Sequence, residues 1–287
     1  MLDTTSWFHK ICVIESQHDG ELRIGRKLVD GALFVATLKR PELKVEYRNP
    51  RSKEELFRVL DLIENEAREQ GIYPMLHFEC HGCPDGLELG NGDLVGWDSL
   101  RDILISINRA CRSNLVIAVA ACDGAHLIKA ATRLERAPFW ALIGTEGAIA
   151  AGALMDDFDA FYTTLFESLD GDAALAALNR GIRGDSRRYK FLTAAGLFVR
   201  AYRRYHERYC IGKGRRARIE DLVSQAMERQ TIRRMGIGAV RKLVKQQLSQ
   251  EEMYFEAKKR KFFFADEFPE NEARCSFTRE QVLGTGT

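Results

Sequence analysis

Two short apolar runs, each ending on a chemically useful residue, constrain this chain more than any other feature. Tyr73-Pro-Met-Leu-His-Phe-Glu-Cys80 leads directly into His81-Gly82, and Asn114-Leu-Val-Ile-Ala-Val-Ala-Ala121 leads directly into Cys122-Asp123-Gly124. Short runs rich in β-branched and aromatic residues predict strands covered on both faces of a parallel sheet. Ligands and catalytic groups in such sheets gather outside the carboxyl ends of the strands. If the two strands are neighbours, an imidazole and a thiol leave the same edge and face each other as a base and a nucleophile. Glycine follows His81 directly and Cys122 by two positions, where the chain must turn and can bring amides close to a substrate. The backbone N–H groups of Gly82 and Cys122 are the candidate oxyanion hole.

The surrounding pattern alternates strand and helix. Lys10-Ile-Cys-Val-Ile-Glu15 and Lys44-Val-Glu-Tyr-Arg48 read as strands, with a helical pattern between them over Gly20 to Leu38. Ser52-Lys-Glu-Glu55 is a capping box that opens a helix ending at Gly71. Asn91-Gly92 predicts a small hairpin beyond the histidine, and Trp97 to Cys111 is an amphipathic helix returning the chain to the cysteine strand. A helix over Ala125 to Arg136, a strand at Phe139 to Gly144 and helices over Asp156 to Leu169 and Asp172 to Arg183 complete the alternation. Such an order predicts an α/β fold with a doubly wound, mostly parallel sheet. Gly184-Asp-Ser marks a domain boundary, dividing the chain into residues 1–183 and 184–287. Past it, Tyr189 to Tyr209, Ile219 to Met235 and Val240 to Lys261 read as helices. Gly212-Lys-Gly-Arg-Arg216 reads as a loop, Phe262-Phe-Phe264 as an apolar tip, and the remainder as an acidic, polar tail.

Ala120-Ala121-Cys122-Asp123-Gly124, with His81-Gly82 41 positions upstream of the cysteine, resembles the caspase-like cysteine peptidases of the separase and CHAT branch. The resemblance covers about the first 180 residues. It departs from caspases in having Ala120 where they carry Gln and Asp123 where they carry Arg. It departs from common CHAT sequences in lacking a Ser or Thr between the acidic residue and the glycine. The resemblance implies a caspase-like sheet in flavodoxin-like order, and a cysteine endopeptidase acting through His81 and Cys122 with no metal or organic cofactor. It also implies a form kept dormant until a partner or a small signal molecule engages it, in prokaryotic stress or antiviral defence.

Other readings of the same residues compete. Cys80-x-x-Cys83 followed by Cys122-x-x-x-His126, with His77 nearby, imitates zinc-ligand spacing, but these residues punctuate a sheet with an ample apolar core instead of a small metal-dependent fold. Asp123 and Glu146 follow two adjacent predicted strands; if they line the pocket, they favour a Lys or Arg beside the scissile bond, and otherwise they are solvated loop acids. His9, His18 and His206 stand among polar neighbours and carry no signal.

Charge is segregated along the chain. Residues 183–264 hold 22 Lys and Arg against 8 Asp and Glu, so the rest of the chain is net acidic although the whole carries only +2. Such a basic helical module is a solvated face or a contact to an acidic partner, the acidic first domain included, and nucleic acid is a further option that no recognisable motif favours. A chain with 45% hydrophobic residues can bury a proper core. No apolar run reaches the ~18 residues of a membrane span, and the first residues lack a signal core, so a cytoplasmic protein with no membrane contact is expected. Seven cysteines, several in strand contexts, suggest reduced thiols. Two other classes remain: a caspase-like binding module without turnover, and a nucleic-acid-binding protein working through its basic helices.

Overall fold

The structure, a computed structural model, describes residues 7–131, 134–180 and 189–284 and forms two compact units that divide between Ala194 and Ala195. The boundary suggested at Gly184 lies outside the described residues. The first unit is built on strands β1 (Lys10–Ser16), β2 (Lys44–Arg48), β3 (Pro74–Cys83), β4 (Gly86–Glu88), β5 (Leu94–Gly96), β6 (Val116–Ala120), β7 (Ala141–Thr145) and β8 (Tyr189–Thr193). Their main path runs β2-β1-β3-β6-β7-β8, parallel except for β8, which lies antiparallel to β7. With the β4–β5 hairpin set aside, the first five strands follow the flavodoxin-like order. The fold is therefore α/β with a mostly parallel sheet.

Alternation assigns each strand residue a face. Ile11, Val13, Met75, Ala118, Ala120 and Ile143 point to one side and pack in a single cluster with Leu154, Phe158, Phe161 and Tyr162 of α5 (Ala151–Ser168). Leu76, Phe78, Ile117, Val119 and Leu142 point to the other and are also buried, as are Leu56, Leu60 and Ile63 of α3 (Lys53–Gln70) and Leu104 and Ile107 of α4 (Arg101–Ala110). Burial on both faces is what the unbroken apolar runs require, and each large side chain contributes roughly 1.5–3 kcal/mol.

Local signals set several boundaries. Ser52 Oγ accepts the Glu55 N–H and starts α3, while Gly71, at φ 67°, ends it in the left-handed region. The capping box is not reciprocal, because Glu55 reaches back to the Arg51 N–H at 2.7 Å instead of the Ser52 N–H. The helical pattern of Gly20 to Leu38 is interrupted: α1 (Ile24–Leu28) and α2 (Phe34–Lys39) flank a π-helical turn kinked at Gly31.

Four further expectations are corrected. Tyr189 to Thr193 is a strand, not the start of a helix: its backbone closes the free edge of β7, and Tyr189 is buried with its hydroxyl 2.9 Å from Asp157 Oδ2. The segment after Cys122 is a 3₁₀ helix (Gly124–Ala131) instead of an α-helix, pressed so closely on β7 that a Cβ on Gly144 would meet the Ala125 nitrogen at 2.6 Å.

The other two corrections fall in the second unit, whose helices are α7 (Ala194–Tyr209), α8 (Gly212–Met227), α9 (Gln230–Arg233), α10 (Ile237–Leu248), α11 (Glu251–Phe262) and α12 (Arg279–Leu283); α6 (Gly171–Leu178) closes the first unit's helical set. The glycine-rich stretch read as a loop is the first turn of α8, where Gly214 abuts the Arg208 carbonyl so closely that a Cβ would lie 1.9 Å from it. Phe262, Phe263 and Phe264 are buried, and rings of Phe198, Phe255, Phe262, Phe263 and Phe277 pack together as the unit's core. The acidic tail is folded as well, with Asn271, Arg274, Cys275 and Val282 buried. Among the described residues no helix is long and apolar enough to cross a membrane.

Candidate functional site

His81 and Cys122 come together by register. β3 and β6 are hydrogen-bonded neighbours, and their pairing keeps a constant offset of 41 from Met75 opposite Val116 to Glu79 opposite Ala120. Two residues beyond its last pair come His81, still on β3, and Cys122, in the turn just past the end of β6. Along β3, His81 continues the face of Met75, His77 and Glu79, while Cys122 follows β6 in a turn. The imidazole and the thiol thus both lie at the carboxyl edge of two adjacent parallel strands.

Gly82 fixes how tightly the two ends approach. A Cβ on it would fall 2.0 Å from the Cys122 carbonyl oxygen and 2.9 Å from the Ala121 Cβ, so only glycine fits. The hairpin strand β4 pairs with the end of β3, setting His81 opposite Glu88 and Gly82 opposite Leu87, which extends the histidine past the sheet's rim. Cys122 is half-buried, and its sulfur receives the Ile149 N–H at 3.4 Å. Asp123 takes a left-handed φ of 56°, and its N–H goes to the Gly147 carbonyl at 3.1 Å, tying the cysteine turn to the loop after β7. Glu146 in that loop is ion-paired with Lys190 at 3.2 Å.

The imidazole and thiol are not hydrogen-bonded to each other. His81 Nε2 instead donates to Glu21 Oε2 at 2.8 Å, and the His81 ring stacks on His18 with centroids 5.2 Å apart. The His18 backbone N–H donates to the same Glu21 oxygen at 2.9 Å, and the His18 ring lies 3.0 Å from Glu88 Oε1. Hydrogen bonding from His81 holds the Glu21 carboxyl below its usual range. Glu21 and His18 were not selected from the sequence. The signal was present, since both lie in the loop leaving β1, the strand beside β3, on the same carboxyl edge that singled out His81 and Cys122.

Beneath the histidine lies a buried polar chain that the apolar reading of the strands also passed over. His77 Nδ1 is 3.1 Å from the Tyr162 hydroxyl, and His77 Nε2 is 3.2 Å from Glu79 Oε2. Glu15, in the next strand, accepts the Gly25 N–H at 2.7 Å and the Tyr47 hydroxyl. Burial pushes Glu79 well above its ordinary 4.5, with the Glu15 charge adding to it, and burial pushes His77 down to about 3.

The zinc spacing does not assemble. Cys80 points to the opposite face from His77 and His81 and is buried, and the His126 ring faces the Pro84 carbonyl at 3.2 Å. Among the described residues no three His, Cys, Asp or Glu side chains are grouped to hold a metal ion. Compared with models of known protein families and with curated proteins, the chain matches none.

Proposed function

We propose that this protein is a cysteine endopeptidase of the caspase-like, separase/CHAT type, with Cys122 as nucleophile and His81 as general base and acid. The observation that supports the reading is the position of the two residues at the carboxyl ends of adjacent, hydrogen-bonded parallel strands. His81 takes the thiol proton, and the sulfur attacks the scissile carbonyl to give a tetrahedral intermediate. Its oxyanion is held by the N–H groups of Gly82 and Cys122. Collapse breaks the C–N bond as His81 returns the proton to the leaving amine, and water, deprotonated by His81, then cleaves the thioester. Glu21 is a positioning residue: by accepting Nε2–H it fixes the ring and the tautomer that leaves Nδ1 to take the proton. No metal or organic cofactor enters this chemistry.

Asp123, beside the nucleophile, would receive a Lys or Arg side chain, as would Glu146 if it exchanges Lys190 for substrate. The resting state has the thiol and the ring on separate partners, which suits a peptidase switched on by an activating protein or small signal. The test is cleavage of a peptide library by the purified chain and by Cys122→Ala and His81→Ala. Turnover that both substitutions abolish, with Lys or Arg before the cut, supports the reading; turnover in Cys122→Ala overturns it.

A further inference from the structure

We propose that the helical hairpin of α8 and α10 binds the phosphate backbone of nucleic acid. The two helices run antiparallel around a small core of their own, Ile219, Val223 and Val240 with Val244 and Leu248 against them. Their direction follows from the contacts at one end, where Arg218 and Leu248 line the same recess and Arg215 lies 3.7 Å from Glu251, just past α10. Residues 212–248 contain ten Lys and Arg against three Asp and Glu. Arg241 is paired with Glu220 at 2.7 Å, Arg218 meets the Tyr205 hydroxyl, and Arg233 donates to the Met227 carbonyl at 3.1 Å.

Six cations remain: Lys213, Arg216, Arg229, Arg234, Lys242 and Lys245 are all exposed and make no ion pair among the described residues. They are spread over the whole hairpin, with Lys213 and Arg216 at the start of α8, Arg229 and Arg234 in the connection, and Lys242 and Lys245 one turn apart on α10. A helix of sixteen residues is about 24 Å long, and duplex DNA presents one charge per ~1.7 Å over such a length. Uncompensated like charge destabilises the folded hairpin, and a regular polyanion gripped at many points offsets that cost. Residues 212–248 include no Phe, Tyr or Trp, so the hairpin has no ring on which a base can stack. The binding it supports is therefore to phosphates and indifferent to sequence.

The test uses full-length protein carrying Cys122→Ala, so its outcome is independent of the peptidase reading. Fluorescence anisotropy follows two labelled duplexes of unrelated sequence, about 20 base pairs each, from about 50 to about 200 mM salt. The expected result is equal affinity for both and a slope of log K against log salt of about −5, from six contacts at ~0.9 each. Changing Arg229, Arg234, Lys242 and Lys245 to Gln should lower affinity at least tenfold and flatten the slope by about 3 to 4, with an unchanged circular dichroism spectrum. Arg229→Lys with Arg234→Lys should retain binding. Changing four exposed cations of the first unit, Lys27, Lys44, Lys53 and Arg58, to Gln should leave affinity within twofold. The proposal is overturned if both Gln sets weaken binding equally, if polyglutamate of matched charge displaces the duplex as well as unlabelled duplex does, or if anionic vesicles bind while the duplex does not.

Discussion

Gly82 lies against the backbone of Cys122 so closely that a Cβ on it would stand 2.0 Å from the cysteine's carbonyl oxygen. The obstacle is main chain, which no rotamer change relieves. Gly82→Ala must therefore push the end of β3 away from the end of β6, at a cost of about 1–3 kcal/mol for overpacking. The displacement falls on the residues beside the thiol and the imidazole, where a shift of about 1 Å can cost roughly a hundredfold in rate. Thermal melting and kcat/KM of Gly82→Ala check this, with Gly92→Ala as a comparison where a Cβ meets nothing within 4 Å but φ is +88°. The expected outcome is that both variants melt lower and only Gly82→Ala loses activity.

A thiol-directed electrophile should modify Cys122 first. Cys12, Cys80 and Cys111 are buried, and desolvation pushes Cys12 and Cys111 up to about 12 and Cys80 higher still, so they are neither reachable nor ionised near neutral pH. Cys83 is the informative control, since it is half-buried like Cys122 but sits in the hairpin ladder opposite Gly86. Mass-spectrometric mapping after substoichiometric iodoacetamide should find Cys122 labelled ahead of Cys83. Equal labelling of the two would remove the chemical basis of the nucleophile.

The edge-of-sheet geometry was legible because it depends only on strand identity, chain order and the residue ending each run. The positions of His81 and Cys122 after two adjacent parallel strands needed no side-chain detail. Glu21 lies on that same edge, but its contact with the His81 ring depends on the loop after β1 folding back, which edge position alone does not encode. The same holds for Tyr189 to Thr193, where helical spacing continued into a segment that the open edge of β7 claimed as a strand. The three phenylalanines at 262–264 read as a tip because hydropathy cannot say what covers them; all three are buried, with Phe198 against Phe262 and Phe263 and Phe277 against Phe263.

Glu21 should act on turnover more than on binding. Its carboxylate touches the imidazole and no reacting atom, so Glu21→Gln should lower kcat by roughly tenfold, a part of the 10²–10⁴ an acid–base residue supplies, and leave KM within about twofold. Glu21→Asp, which keeps the charge on a shorter arm, should recover part of the loss. A role confined to holding the loop predicts equal losses in both variants and a matching fall in melting temperature.

The buried Glu79–His77 pair predicts a shape for stability against pH. His77 is neutral in the fold down to about 3 but takes a proton in the unfolded chain below 6.5, so stability falls as pH drops through that interval. Glu79 stays protonated in the fold far above 4.5 while the unfolded chain ionises there, so its contribution falls as pH rises past 4.5. Between 4.5 and 6.5 the two trends cancel, and above 6.5 the Glu79 loss of up to ~1.4 kcal/mol per pH unit stands alone. Glu15, Tyr47 and Tyr162 are the other polar groups of this cluster, and the Glu15 charge reinforces the Glu79 trend. Glu79→Gln should flatten the alkaline limb in melting temperatures taken across pH 6 to 9. A steeper limb in the variant would contradict the assignment.

The basic unit should govern activity, and the point of truncation decides whether that can be measured. Ending the chain near Gly184 deletes β8, which pairs with β7 from Thr145 opposite Tyr189 to Ala141 opposite Thr193 and buries Tyr189. Such a fragment exposes the β7 edge and should aggregate. Ending it at Ala194 keeps the whole sheet, including the bond from the Ala194 N–H to the Trp140 carbonyl at 2.8 Å. A dormant peptidase whose second unit reads the trigger predicts that the 1–194 fragment and the intact chain differ in peptide cleavage. The trigger should raise the rate of the intact chain only, because a ligand shifts a two-state equilibrium by its differential affinity for the two states. Equal rates for the fragment and the intact chain, with or without duplex DNA, would show that the second unit serves binding alone.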